Sequence, residues 1–427
     1  MRTPYNFLIS IVALIIAISV NSCKDKSYEI ITYKKNVPVY MSYEDFRDSF
    51  KKTSPQEIRQ AGKIYFKDNY LFVNEVNKGI HVIDNANPSS PQIVAFYEIL
   101  GNVDIAIRGN ILYADSYIDL VMIEISDVLN PVEIARVNNA FPEIYPPYEF
   151  GYFQSDIDVS KGIIVDWNVE TVTEEVETGS SRWFTGLYKG DYEMVDDIAN
   201  GGETTGIAGS MARFSIYQDY LYAINRMTSL KSFNISDPLQ VSVSDSINIP
   251  RTIETLFYSN GHLFIGSTSG MLIYSLANPS HPAHVSTFEH ITSCDPVVVQ
   301  DDYAFVTLRS GNECDGYTNQ LDVIDISNLS YPTLVKTHPM YNPHGLGIDG
   351  DVIFICDGDQ GLKIFDASDP YQISDNMLAQ FPDINAFDVI PYNNILMLIS
   401  SEGVYQYDYS DLQNIVQLSF LPIGNNN

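Results

Sequence analysis

Leu321-Asp322-Val323-Ile324-Asp325-Ile326-Ser327-Asn328 decides the fold, because it has copies. It recurs as Gly79-Ile80-His81-Val82-Ile83-Asp84-Asn85-Ala86-Asn87-Pro88 and as Gly361-Leu362-Lys363-Ile364-Phe365-Asp366-Ala367-Ser368-Asp369-Pro370. Looser copies lie at 120–131, 230–238, 270–279 and 403–411. In each, apolar side chains alternate with a period of two and a polar turn follows, the pattern of a short strand. The residues closing these strands (84, 124, 234, 275, 325, 366 and 408) are spaced by 40–42 residues, apart from a step of 50 between 275 and 325 and one long gap between 124 and 234. A second strand precedes each copy, as in Tyr70-Leu71-Phe72-Val73 and Tyr303-Ala304-Phe305-Val306. Before it stands a two-residue turn such as Gly109-Asn110 or Asn393-Asn394, a hairpin signal. A third strand lies upstream of that turn and a fourth follows the Pro-containing one. Inside the long gap, Asp156-Ile157-Asp158-Val159 and Ile163-Ile164-Val165 read as the first two strands of a divergent unit.

Four short strands in 40–45 residues, repeated, are the blades of a β-propeller. One such blade cannot bury both faces, whereas radial stacking buries them and leaves only short edges. The sequence therefore predicts an all-β propeller of four-stranded antiparallel blades over residues 62–423. It has eight blades, or seven if the divergent unit is not one. No 10–15-residue amphipathic helix separates the strands, which excludes a parallel α/β sheet.

The repeated strand, best seen at Leu321-Asp322-Val323-Ile324-Asp325, resembles the LVIVD-repeat proteins, a propeller family that includes many bacterial lipoproteins. The resemblance covers about 360 residues. It implies the propeller fold and says little about function.

The N-terminus gives an address. An apolar run from Phe7 to Val20 is too short to span a bilayer and fits the apolar stretch of a signal peptide. It ends Val20-Asn21-Ser22-Cys23, which resembles the lipobox of bacterial lipoproteins. That resemblance implies cleavage after residue 22, lipidation of Cys23 and anchoring in the cell envelope, the outer membrane being the expected membrane. Residues 23–61 then form a tether, with a capping box at Ser42-Tyr43-Glu44-Asp45 opening a short helix from Tyr43 to about Lys51.

Hydrophobic residues make up 45% of the 427 and charged residues 18%, which excludes disorder over most of the chain. The net charge of −30 repels phosphate backbones and argues against nucleic acid as a partner. Of the cysteines left after export, Cys294 and Cys314 are placed to form a disulfide, and Cys356 sits in an apolar strand as a buried thiol. No paired Cys-x-x-Cys spacing marks a zinc site.

Residues 166–210 read as an acidic insertion, with Glu170, Glu174, Glu175 and Glu177 in its first part and a Gly-rich tail that reads as a mobile loop. Near the start of each inner strand stands an ionisable residue: Asp104, Asp156, Arg213, Glu254, Asp295, His344 and Asp388. This predicts a mostly carboxylate ring at the mouth of the axial channel, a candidate binding site for a polyhydroxyl ligand or Ca²⁺, with no cofactor otherwise expected. His344, Asp295 and Arg309 are the residues an enzyme could use, as in a hydrolase or lyase acting on a polysaccharide. No nucleophile elbow, phosphate loop or zinc-protease motif is present. The sequence therefore favours a lipid-anchored binding or scaffold propeller, recognising a protein or glycan partner through its loop face and the insertion.

Overall fold

The computed structural model describes residues 28–177, 207–290, 296–310 and 318–424. The signal peptide, Cys23, most of the insertion and both members of the expected disulfide, Cys294 and Cys314, lie outside them, as does Asp295.

The chain divides into two compact units. The larger contains seven meanders of four antiparallel strands: residues 61–98, 105–137, 214–248, 253–289, 297–339, 346–381 and 386–422, here blades 1 to 7. In each the strands follow sequence order from the inside outward. The seven inner strands touch in turn, and that of blade 7 returns to that of blade 1, so the ring closes with seven blades, the smaller of the two counts. The divergent unit at 156–165 is not a blade. Ile163–Glu177 is instead one long strand of a separate three-stranded sheet.

The repeated motif has a local cause. In every blade the residue closing the third strand accepts a hydrogen bond from the backbone N–H two residues on: Asp84 from Ala86, Glu124 from Ser126, Asn234 from Ser236, Ser275 from Ala277, Asp325 from Ser327, Asp366 from Ser368 and Asp408 from Ser410. An oxygen-bearing side chain at this place makes the turn and ends the strand. At most blades an Asp or Asn three residues later repeats the device, as Asp127, Asp237 and Asp369 do. The register slips by one residue between the third and fourth strands of all seven blades, a bulge that adds twist to the outer edge. The first hairpin turn of each blade opens on a left-handed residue, including Asp68, Gly109, Gln218 and Gly350.

The apolar residues of the second and third strands, such as Leu71, Val82, Leu112, Leu221, Leu263, Val323 and Leu396, are buried between neighbouring blades. Buried tyrosines bridge blades through their hydroxyls, Tyr97 donating to Val128 O at 2.7 Å and Tyr222 to Pro279 O at 2.7 Å. Each blade is one continuous stretch of chain, so the ring closes without exchange of a strand. Asn85 and Gln406 exchange two amide hydrogen bonds, 2.9 and 2.7 Å, across the junction of blades 1 and 7. Gly424 N also donates to Ile58 O at 2.7 Å.

The helix expected from Tyr43 to Lys51 is shorter, Tyr43–Arg47. Ser42 caps it, accepting from Asp45 N at 3.0 Å. Lys51–Thr53 then turns extended, because it pairs with the outer strand of blade 1. Cys356 is buried and free, and burial pushes its thiol well up.

The smaller unit comprises, among the described residues, 28–39, 147–160 and 166–177. Its sheet places Tyr28–Met41 centrally, parallel to Phe153–Gln154 on one side and next to Ile163–Glu177 on the other. No helix among the described residues is long and apolar enough to cross a membrane.

Candidate functional site

Register fixes the axial positions. Phe66 faces Leu71, Ile107 faces Leu112 and Ile216 faces Leu221 in the first hairpins of blades 1, 2 and 3. Counting back three residues brings Lys63, Asp104 and Arg213 into one ring. Glu254, His344 and Asp388 lie within one residue of the same register. Lys63 was legible in this way, one residue before Ile64, yet does not stand out by residue type among acids. Asp156 does not join the ring. It is exposed and lies in the smaller unit, because the stretch around it is no blade.

The ring is therefore not a set of converging carboxylates. Lys63, Asp104, Arg213 and Glu254 follow one another in blades 1 to 4 with alternating sign, and Asp388 of blade 7 lies on the other side of Lys63. Nor is it open. After the insertion, Ile207–Ala208 pairs antiparallel with the inner edge of blade 1, at Phe66 and Tyr65. Residues 209–213 then cross to the mouth, with Ser210, Met211 and Ala212 buried. Ser210 N and Oγ donate to Asp388 Oδ1, at 3.1 and 3.2 Å. Ser210 Oγ also accepts from Leu346 N of blade 6 at 2.7 Å. Lys63 Nζ reaches Asp104 Oδ2 at 3.3 Å and Met211 O at 3.5 Å. Asp104 Oδ2 accepts from Arg213 N at 2.5 Å and Phe214 N at 3.1 Å. Residues 207–213, which begin with the last three of the Gly-rich tail expected to be mobile (201–206 lie outside the described residues), thus form a plug, tied to blades 2 and 7 by Asp104 and Asp388, both expected to hold a ligand, and to blades 1 and 6 by Lys63 and Leu346 N.

Two glycines allow it. A Cβ on Gly209 would lie 1.6 Å from Asp388 Oδ2, and one on Gly345 would lie 2.3 Å from Asp388 Oδ1. Both backbones lie against a fully buried carboxylate.

His344 and Arg309 do meet. Arg309 Nη1 lies 2.6 Å from His344 Nδ1, and Asn342 Nδ2 lies 3.3 Å from His344 Nε2. Burial and the adjacent guanidinium hold the imidazole neutral and lower its pKa to about 3. An imidazole so disposed is a weak proton acceptor at neutral pH, which bears against its use as a general base. Nearby, the buried Asp357 accepts from Tyr341 N at 3.1 Å and Asn342 N at 2.7 Å and pairs with Lys363. Asp357-Gly358-Asp359-Gln360-Gly361 is a tight turn whose ends bond to each other, Asp357 N to Gly361 O at 2.8 Å. Its carboxylate serves the neighbouring backbone. No cluster of three metal-ligating side chains occurs among the described residues.

These groups set a pH dependence. An unfolded chain protonates His344 near 6.5 and the native one only near 3. The stability gained by keeping it neutral is full above 6.5 and drains away as pH falls toward 3. Asp115 acts oppositely. Burial raises its pKa to about 6, so its ionisation costs stability as pH rises from about 4 to 6. The shift of His344 is the larger, at about 1.4 kcal/mol per unit. Thermal melts should show the midpoint falling from pH 6.5 to pH 4, and falling less in His344→Gln. An identical slope in the variant would contradict the neutral, buried imidazole.

The sequence profile of the LVIVD repeat matches residues 58–98, 102–139, 293–338 and 344–374. No curated protein sequence matches the chain significantly. Among solved structures, a protein from Lactobacillus plantarum superposes with a TM-score of 0.52 at 10% identity, covering 85% of this chain and 97% of that one. The computationally designed Ika8 protein gives 0.50 at 10% identity, covering 87% and 90%. BamB of Moraxella catarrhalis gives 0.45 at 8% identity, covering 84% and 96%. At these identities the first two bear on the fold alone.

Proposed function

The chain belongs to the LVIVD-repeat β-propellers, and we propose that it works as a binding module, lipid-anchored to the cell envelope through Cys23, that docks a protein partner. One observation carries this reading. Of the seventeen exposed large apolar side chains among the described residues, five fall in the small unit: Tyr28, Ile30, Phe150, Val159 and Val169. Phe150 is 91% exposed and Ile30 76%. Isolated exposed apolar residues are ordinary, but such a concentration on about forty residues points to surface that a partner covers. Tyr28 and Ile30, two apart on one strand, share a face. Carboxylates from the start of the insertion, Glu170, Glu174 and Glu175, stand on the same sheet and would set the polarity of its rim. The plug supports the same reading by filling the axial site that a small ligand would take. A glycan partner and the polysaccharide-acting enzyme remain the alternatives, the latter depending on Asp295 beside His344.

The test is a photo-reactive amino acid placed at Phe150 or Ile30 in cells, with Asp301 as control. A discrete protein adduct is expected at the first two positions and not at the third. Adducts at none of the three, or equally at all, would defeat the reading. For the anchor, Cys23→Ser should abolish labelling by a radioactive fatty acid and release the chain from membranes. Labelling that persists would exclude Cys23 as the lipidated residue.

A further inference from the structure

The outer turns of the blades, between the third and fourth strands, form one rim of the larger unit: residues 84–91, 124–131, 234–241, 275–282, 325–332, 366–372 and 408–415. The first hairpin turns, Asp301 among them, lie nearer the axis and are not part of it. Nine of the seventeen exposed large apolar side chains among the described residues belong to this rim. Leu129, Leu239, Tyr331 and Tyr371 stand on the turns of blades 2, 3, 5 and 6. The other five fall in the first two residues of the outer strands that follow, as Val132 and Met377 do. Tyr331 is 76% exposed and Leu239 62%. Scattered apolar residues would call for no explanation, but these recur at one place in the repeat.

The fold does not ask for these side chains. Leu129, Leu239 and Tyr371 each donate a backbone N–H to the side chain of the Asp two residues before. Ser89 and Ser330 make the same bond to Asn87 and Asn328, and Gln413 makes it to Asp411. Tyr331 occupies the next place, where its N–H meets the carbonyl three residues back, as those of Ser90 and Gln240 do in their own blades. A turn that closes equally well on Ser or Gln leaves the choice of Leu or Tyr to something outside the blade. The same bonds hold the four residues on a fixed backbone, so little freedom is lost when a partner covers them.

Charge selects the occupant. The seven turns carry nine carboxylates and no Lys or Arg. Hydrogen bonds from Asn130, Ser327, Ser368 and Ser410 lower the pKa of Asp127, Asp325, Asp366 and Asp408, so the rim stays negative at neutral pH. A second copy of the same rim and a membrane of anionic lipids would both be repelled. We propose that the rim docks a partner protein whose surface sets lysines and arginines around apolar hollows. The Tyr and Leu tips would fill the hollows, and the carboxylates around them would meet the cations. The rim uses none of the residues assigned to docking on the smaller unit, so either surface can fail alone.

The probe is a fluorescein-labelled amphipathic peptide, acetyl-(Leu-Lys-Lys-Leu)₄-amide, titrated into the purified chain by anisotropy, beside versions with every Lys replaced by Glu or every Leu by Ser. The first should bind, and the other two should bind about tenfold or more weakly. A chain carrying Leu129→Ser, Leu239→Ser, Tyr331→Gln and Tyr371→Ser keeps its charge and its turns. Its thermal midpoint should be unchanged while its affinity falls about tenfold or more. Asp127→Asn, Asp237→Asn, Asp369→Asn and Asp411→Asn together should also weaken binding, with the turns kept as Asn87 and Asn328 keep theirs. Tyr28→Ser/Ile30→Ser should change nothing, which separates the rim from the surface of the smaller unit. Unchanged affinity in the fourfold apolar variant, or equal binding of the Ser-substituted peptide, would mean attraction by overall charge and would overturn the proposal. Binding to vesicles of zwitterionic lipid, or self-association in sedimentation, that is lost in the same variant would overturn it too, by assigning the rim to a membrane or to a second copy.

Discussion

Gly209→Ala should cost about 3 kcal/mol of unfolding free energy, the upper end of what overpacking a well-filled interior typically costs. The methyl would be built 1.6 Å from Asp388 Oδ2 and 2.4 Å from its Cγ, so one of the two must leave. The carboxylate has little room to move, because the backbone of Gly345 closes its other side. The plug must then withdraw, and with it the bonds that Ser210 donates to Asp388 and accepts from Leu346 N. Denaturant titration measures the loss. Asp388→Ala alone should also destabilise, by removing the acceptor of Ser210. In the double variant, however, the clash is gone, so the combined penalty should fall well short of the sum. Additive penalties would mean that Gly209 and Asp388 do not meet.

The second large effect is expected at Lys63. Its ammonium and the carboxylate of Asp104 are 4% and 2% exposed, and the pair is closed over by the backbone of residues 211–214. Burying such a pair contributes little net stability, but removing one member leaves an uncompensated charge in a poorly polarisable place. Lys63→Met should therefore cost about 3–5 kcal/mol. Asp104 is also the acceptor for Arg213 N, Phe214 N and Ile105 N, so Asp104→Leu would strand three N–H groups and should be at least as damaging. Asp104→Asn keeps an acceptor and should be milder. Equal stability of Lys63→Met and wild type would show that Asp104 is compensated from elsewhere.

The blades were legible because each is specified locally. A strand alternates, an Asp or Asn turns the chain, and the next strand begins, so the signal repeats at every Asp84, Asp325 and Asp366. The false third unit shows the limit of that logic. Ile163-Ile164-Val165 is as apolar as a blade strand, but what it pairs with is decided by Tyr28–Met41, far away in sequence. The axial ring was half legible for the same reason. Periodicity located Asp104, Arg213 and Asp388, but not what faces them. Ser210 lies 178 residues from Asp388, belongs to no repeat, and sits in a Gly-containing stretch that reads locally as a loop. Only the assembled ring reveals that its small residues are a fit to a narrow channel. The depressed pKa of His344 likewise depends on Arg309 and on burial, neither of which residue type announces.

Because blades 1 and 7 are each complete and the chain meets itself at Ile58 and Gly424, the point at which it enters and leaves the ring is incidental to closure. Residues 58 and 424 could be spliced together and the chain reopened at another boundary, such as between blades 3 and 4, to give the same circle with rearranged gene order. The same independence lets a blade be duplicated or deleted as one genetic cassette. The plug sets the bound on such change. It is bonded to blades 1, 2, 6 and 7 at once, so a larger or smaller circle would need a new stopper.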